Sequence, residues 1–193
     1  LIDLSTYYSS DADERQYNVV EPPLGLLALL TFLNTQLTGK VKGKIIKSLV
    51  DFDSNEELIE TINTFKPDII GFRAMTFYSG FFHDVIQYIR DRKINIPIIA
   101  GGPYPTASYA DVLKDKNIDA VAIAEGEHTL YEICKKMIEK GNKFLNYEEL
   151  EEIHGIAYYN PEKKSIRNVD DDKIASIPIS GHLKDIIKGP IRK

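Results

Sequence analysis

Apolar residues fall into two patterns along this chain. Short uniform runs, such as Ile98-Ile99-Ala100, suit strands buried on both faces, as in a parallel sheet under two layers of helices. Between them lie longer stretches with apolar residues three or four apart, the spacing of a helix face. The strand pattern covers residues 1–4, 45–52, 69–72, 96–100 and 120–123. The helical pattern covers residues 24–33, 54–65, 81–92, 108–114 and 130–140. In the first helix Leu24, Leu27, Ala28, Leu30, Thr31 and Leu33 make a wide apolar face, and Pro22 and Pro23 suit its entry, where a missing N–H costs nothing. Ser54 caps the second, with Glu56 and Glu57 against the positive end of its dipole. Strand and helix thus alternate five times. That predicts an α/β protein with a flavodoxin-like (Rossmann-like), doubly wound, five-stranded parallel sheet in the order 2-1-3-4-5.

After Gly141 the pattern changes. Residues 153–159 and 165–169 read as two strands around the turn Asn160-Pro161-Glu162-Lys163-Lys164, a C-terminal β-hairpin extension. Asp170-Asp171-Asp172 reads as a solvated charge run, and Ile177-Pro178 carries no strong periodicity. The division expected is a Rossmann-like domain over 1–141, then hairpin and linker over 142–193. Near the start, residues 5–20 form a long polar loop bearing Tyr7, Tyr8 and Tyr17, a length uncommon inside a compact domain and often functional.

The buried run at Ile98 ends at Gly101-Gly102, followed by Pro103-Tyr104-Pro105. Glycine allows left-handed backbone and close approach of a ligand, and the prolines stiffen the exit and hold the loop open. Open α/β sheets keep ligands outside the carboxyl ends of their strands. A branched side chain at Gly102 is expected to fill ligand space, although a plain tight turn is the alternative. Four loops meet at that edge: 5–23, 73–80, 101–106 and 124–129. The last, Glu125-Gly126-Glu127-His128-Thr129, opens a helix. Gly126 would permit an unusual backbone angle there, and the free N–H groups can bind acceptor atoms or phosphate. The alternative is that Glu127 and Thr129 merely cap. Thr76, Tyr78, Ser79, Tyr104 and Thr106 add hydroxyls and aromatic faces, without a nucleophile–base pair.

Composition narrows the classes. The chain has 193 residues, 43% hydrophobic and 27% charged, enough for one sizeable core. The net charge of -5 comes without a basic cluster, which argues against nucleic acid as partner. No apolar run approaches the roughly 20 residues of a membrane helix. The single cysteine, Cys134, excludes an internal disulfide or a cysteine-ligated cluster, and its apolar helix position suits a buried inert thiol. The chain opens at Leu1 inside an apparent strand, so it reads as a piece of something longer. No signal peptide is in view, so a cytoplasmic setting is expected.

Several motifs in register resemble a known family. They are Pro22-Pro23-Leu24-Gly25-Leu26-Leu27, then Pro67-Asp68-Ile69-Ile70-Gly71 running to Met75-Thr76, then Gly101-Gly102-Pro103, then Glu125-Gly126-Glu127 with Thr129-Leu130. Together they resemble the N-terminal cobalamin-binding domain of radical S-adenosylmethionine enzymes, over about residues 1–141. The hairpin and residues 174–178 resemble the segment linking that domain to the radical barrel.

The resemblance implies cobalamin, with the corrin ring over the carboxyl edge and the nucleotide tail entering beside Gly101, Gly102, Glu125 and Gly126. The cofactor-binding residues it implies are Pro23, Leu24, Arg73, Met75, Thr76, Gly101, Gly102, Pro103, Tyr104, Glu125, Gly126, Glu127 and Thr129. Mutases and methionine synthase carry Asp-x-His-x-x-Gly, whose histidine binds cobalt from below; that motif does not occur in this sequence. The resemblance therefore implies base-off cobalamin without a protein histidine on cobalt, His83 being expected on a helix surface. Arg73 stands where these domains usually have a small residue such as serine, where it would either crowd the tail or pair with its phosphate. No Cys-x-x-x-Cys-x-x-Cys occurs, so S-adenosylmethionine and a 4Fe-4S cluster would belong to a radical domain elsewhere in the polypeptide, and this part alone would catalyse nothing. The competing reading is a degenerate Rossmann-like module, without corrin, that serves interaction or substrate gating. A receiver domain using Asp51 and Asp53 is disfavoured, because Ala124-Glu125 stands where a lysine is needed.

Overall fold

The computed structural model describes residues 1–9 and 21–170. Tyr17, Asp171, Asp172 and residues 174–178, singled out above, lie outside the described residues. The strands are β1 (Ile2–Leu4), β2 (Ile46–Lys47), β3 (Ile70–Ala74), β4 (Ile98–Gly101), β5 (Ala120–Ala122), β6 (Ile156–Asn160) and β7 (Ser165–Asn168). The helices are α1 (Leu24–Gln36), α2 (Asn55–Phe65), α3 (Ser79–Asp91), α4 (Pro103–Ala107), α5 (Tyr109–Val112), α6 (Gly126–Glu139) and α7 (Tyr147–Glu151). They build one sheet in the order β2-β1-β3-β4-β5-β6-β7. The first five strands are parallel in the expected order 2-1-3-4-5. The hairpin does form, and it continues this sheet, with β6 antiparallel to β5 and β7 antiparallel to β6. No helix among the described residues is long and apolar enough to cross a membrane.

Side chains alternate across a strand, so each strand serves both faces. On one face Ile2, Leu4, Ile70, Phe72, Ala74, Ile98, Ala100 and Val121 join a single core with Leu58, Phe82, Val85, Ile86 and Ile89 from α2 and α3. The other face is covered by α1 and α6, which meet through a smaller cluster of Leu33, Leu37, Leu130 and Cys134. Ile99, Ala120, Ala122, Ile133 and Met137 join the hairpin residues Ile156 and Tyr158 in a third cluster.

Local chemistry sets the boundaries. The Ser54 hydroxyl accepts from the Glu57 amide at 3.2 Å and caps α2, which ends at Lys66 with φ +52°. Asn146 and Glu149 form a reciprocal capping box on α7. In the hairpin turn the Asn160 side chain accepts from the amides of Glu162 and Lys163.

Several expectations are corrected. The apolar face assigned to α1 is rotated: Leu26 and Leu33 are buried, while Leu24 is 70% and Leu27 46% exposed. This helix is apolar nearly all round, so periodicity could not orient it. The second strand shrinks to two residues plus an isolated bridge from Ser48 to Phe52. The third extends to Ala74, which places Arg73 inside a strand. Pro103 is the first residue of α4, so the two prolines begin a helix and do not hold a loop open. Asp170 is not part of a solvated run: it is 9% exposed and accepts from the His154 ring and the Gly155 amide.

The asymmetry of burial gives a direct test. Phe82 is fully enclosed, so Phe82→Ala should cost about 3–5 kcal/mol in urea unfolding. Leu24→Ser, on the exposed side of α1, should stay within about 0.5 kcal/mol of wild type.

Candidate functional site

The face beneath α1 and α6 carries small residues: Gly71 near the start of β3, covered by the Leu1 side chain, and Gly101 and Ala122 at the carboxyl ends of β4 and β5. Small side chains leave room between the sheet and the covering helices. A cleft of about 250 Å³ results, floored by those residues and walled by Leu26 and Leu29 of α1 and Gly126, Glu127 and Leu130 of α6. Leu1, Gly71 and Leu130 also line a second cavity of about 390 Å³ that reaches Cys134 and Met137. A β-carbon on Gly101 would meet only Ala122 atoms at 3.8 and 3.9 Å, so the cleft there is open to a side chain.

Seven of the residues implied by the resemblance line this cleft: Arg73, Gly101, Gly102, Pro103, Glu125, Gly126 and Glu127. Pro23, Leu24, Met75 and Thr76 do not. They sit at element ends along the carboxyl edge, with Leu24 and Met75 exposed. The Tyr104 hydroxyl is directed to His83 Nε2 at 3.0 Å, and the other ring nitrogen of His83 meets Asp115 at 2.7 Å. His83 is therefore half-buried in a relay, not a plain surface residue. Burial pushes the Tyr104 hydroxyl above its ordinary pKa, with Asp111 and Asp115 adding to the rise. Thr129 is 2% exposed and donates to the His154 carbonyl at 2.9 Å, so it ties α6 to the hairpin and does not cap the helix.

Two glycine expectations change. Gly102 does take a left-handed angle, φ +88°, but the space a β-carbon would enter is held by Arg73 Cγ at 2.9 Å. Gly126 has no positive φ; Ala124 carries the unusual angle at +60°. At Gly126 a β-carbon would lie 3.4 Å from Leu29 Cδ2, an ordinary contact, so neither backbone angle nor space demands glycine there.

Charge is concentrated at one corner. Asp3 on β1 is fully buried between Lys47 on β2 and Arg73 on β3, each 2.9 Å from a different carboxylate oxygen. The strand register sets this, since Asp3 pairs with both Lys47 and Arg73. Ser5 donates to the same carboxylate at 3.0 Å. Nothing in the linear spacing of residues 3, 47 and 73 announced this cluster, although order 2-1-3 places all three strands side by side. A second missed feature is an aromatic group at the carboxyl edge. Tyr7 packs against Phe77, Tyr78 and Phe81, with Phe77 72% exposed.

Residues 16–134 match the family model described as B12 binding domain. The chain belongs to the B12-binding domain family. Among curated proteins, this B12-binding domain is 30% identical over 134 residues to the anaerobic magnesium-protoporphyrin IX monomethyl ester cyclase of Rubrivivax gelatinosus, covering 69% of the chain and 22% of that protein. Its fold is similar to the cobalamin-dependent S-adenosylmethionine radical enzyme OxsB with aqua-cobalamin and S-adenosylmethionine bound, at TM-score 0.67 and 18% identity over 86% of this chain and 21% of that one. It is also similar to the radical S-adenosylmethionine methyltransferase TsrM of Kitasatospora setae with cobalamin and a [4Fe-4S] cluster bound, at TM-score 0.63 and 18% identity over 87% and 28%. The B12-binding domain thus spans between about a fifth and somewhat over a quarter of these proteins.

Two outcomes follow from this chemistry. Asp3→Asn should cost about 3–5 kcal/mol in urea unfolding, because it leaves two cations without their carboxylate. Arg73→Ser should cost much less, since Lys47 still neutralises Asp3. Burial pushes the Cys134 thiol up to about 11, above its unfolded value. Its neutral form is the one the fold favours, so this contribution is intact below about pH 8.5 and is lost as pH rises towards 11. In chemical denaturation across that range, wild type should lose stability more steeply than Cys134→Ala.

Proposed function

We propose that this domain holds cobalamin, base-off, at the carboxyl edge of the sheet, as the cobalamin-carrying part of a radical S-adenosylmethionine enzyme, a methyltransferase or related. The observation that carries this reading is the cleft between α1, α6 and the small residues Gly71, Gly101 and Ala122. A slot that is apolar inside and polar at the mouth suits a flat aromatic base with a phosphate behind it. The residues that would hold the tail are Arg73, Gly101, Gly102, Pro103, Glu125, Gly126 and Glu127. Pro23, Leu24, Met75 and Thr76 would border the corrin, with Phe77 added from the structure. Tyr104 and Thr129 would act at one remove, by fixing the loop after β4 and the start of α6. Bound cobalamin supplies a cobalt centre that, in methyltransferases, carries a methyl group.

Both ring nitrogens of His83 are engaged by Asp115 and Tyr104, which supports a cobalt without a protein histidine. In this reading residues 1–141 form the binding body, and 142–193 lead towards a radical domain that holds S-adenosylmethionine and a 4Fe-4S cluster in the same polypeptide. The competing module without corrin draws its support from Arg73, whose stem lies over Gly102 at the cleft.

Hydroxocobalamin titration followed by desalting separates the two readings, with retained corrin absorbance expected for wild type. Gly101→Val should keep the circular dichroism spectrum while binding falls at least about tenfold, because its β-carbon would meet nothing closer than Ala122 at 3.8 Å and its branches would take up cleft space. Unchanged affinity in that variant would place the tail elsewhere. Electron paramagnetic resonance of the cob(II)alamin complex should show no nitrogen splitting that disappears in His83→Ala.

A further inference from the structure

The corner formed by Asp3, Lys47 and Arg73 holds two cations and one carboxylate. One positive charge is therefore left over beside the cleft. Glu125 and Glu127 line the same cleft, yet among the described residues Arg73 pairs with no carboxylate other than Asp3. The guanidinium spends one donor on Asp3, and a second meets the Met75 sulfur at 3.5 Å, a weak acceptor. A guanidinium carries five N–H donors in a fixed fork. Several thus face no strong acceptor, and the side chain is 26% exposed. Lys47, by contrast, is 5% exposed and spent on Asp3 and Ser5. Gly102 permits this placement, because any side chain there would displace the Arg73 stem.

We propose that Arg73 is a specificity-determining residue that recognises the phosphate of the corrinoid tail, with Asp3 and Lys47 as its positioning residues. The assignment rests on the cobalamin reading above. The chemistry is that of a planar fork meeting an oxyanion, which is stronger and more directional than a contact from a neutral hydroxyl. The fork is fixed beforehand by a buried carboxylate, so little side-chain freedom is lost on binding. A tail whose base enters the cleft and whose corrin stays at the edge must carry its phosphate past the mouth, where Arg73 stands. The side chain that narrows the mouth would thus select corrinoids that bear the phosphate.

The test uses three corrinoids in the same dicyano form: cobinamide, cobinamide phosphate and cobalamin. Cobinamide lacks phosphate, ribose and base, and cobinamide phosphate lacks the ribose and base. Affinities come from absorbance titrations of wild type, Arg73→Ser and Arg73→Lys, with circular dichroism to confirm folding. Wild type should favour cobinamide phosphate over cobinamide by about tenfold or more. That ratio should fall towards one in Arg73→Ser and take an intermediate value in Arg73→Lys, which keeps charge but loses the fork. Arg73→Ser should fold, since Asp3 retains Lys47. A ratio near one in wild type overturns the assignment and leaves the cobalamin reading standing. So does a ratio unchanged in Arg73→Ser, or tighter cobalamin binding by that variant, which would make the arginine an obstacle. Wild type that binds none of the three overturns the cobalamin reading and this assignment together.

Discussion

Everything distinctive here depends on one constraint: a strand has two faces, and the central strands must use them differently. Ile70, Phe72 and Ala74 of β3 turn to one side and close a dense core with α3. Gly71 and Arg73 of the same strand turn to the other and line the cleft. The filled side supplies the stability that permits the other to stay open. Gly101 stays uncovered because α1 and α6 meet each other through Leu33 and Leu130, whereas the space over Gly71 is filled by Leu1.

The cleft does not stand alone. Arg73, which lines it, is held by a buried carboxylate where strand order brings β1, β2 and β3 together. Asp3 has no solvent to stabilise it, so it requires a cation beside it, which Lys47 supplies from inside the sheet and Arg73 supplements from the cleft side. One consequence is that Arg73 cannot be judged as an isolated departure from a small residue. It belongs to a set with Asp3 and Lys47, and Gly102 is shaped to its stem. The Asp115–His83–Tyr104 relay does similar work at the neighbouring loop, holding α4 by a side chain directed away from the cleft.

Much of this was legible in the sequence. Uniform apolar runs gave the parallel strands and their order, and the glycine pair after β4 marked the correct edge. What escaped had identifiable causes. Helix α1 is apolar on every side, so its buried face was decided by α6 and not by its own pattern. The left-handed angle expected at Gly126 falls on Ala124, two residues earlier, where no glycine in the sequence announces it. The Asp3 cluster needed the register of three strands. Asp170 looked solvated among its acidic neighbours, and only the folded hairpin brings the His154 ring and the Gly155 amide to it.

The hairpin has a further consequence for chain direction. A single antiparallel strand after β5 would send the polypeptide to the amino edge of the sheet. The addition of β7 reverses it again, so Asn168 points the same way as Ala122. The chain therefore leaves Asn168 on the side where β3, β4 and β5 end and the cleft opens. Val169 and Asp170 thus stand at that edge and not at the amino ends of the parallel strands. Even-numbered antiparallel additions thus act as a polarity device, returning the chain to the edge at which the parallel strands end.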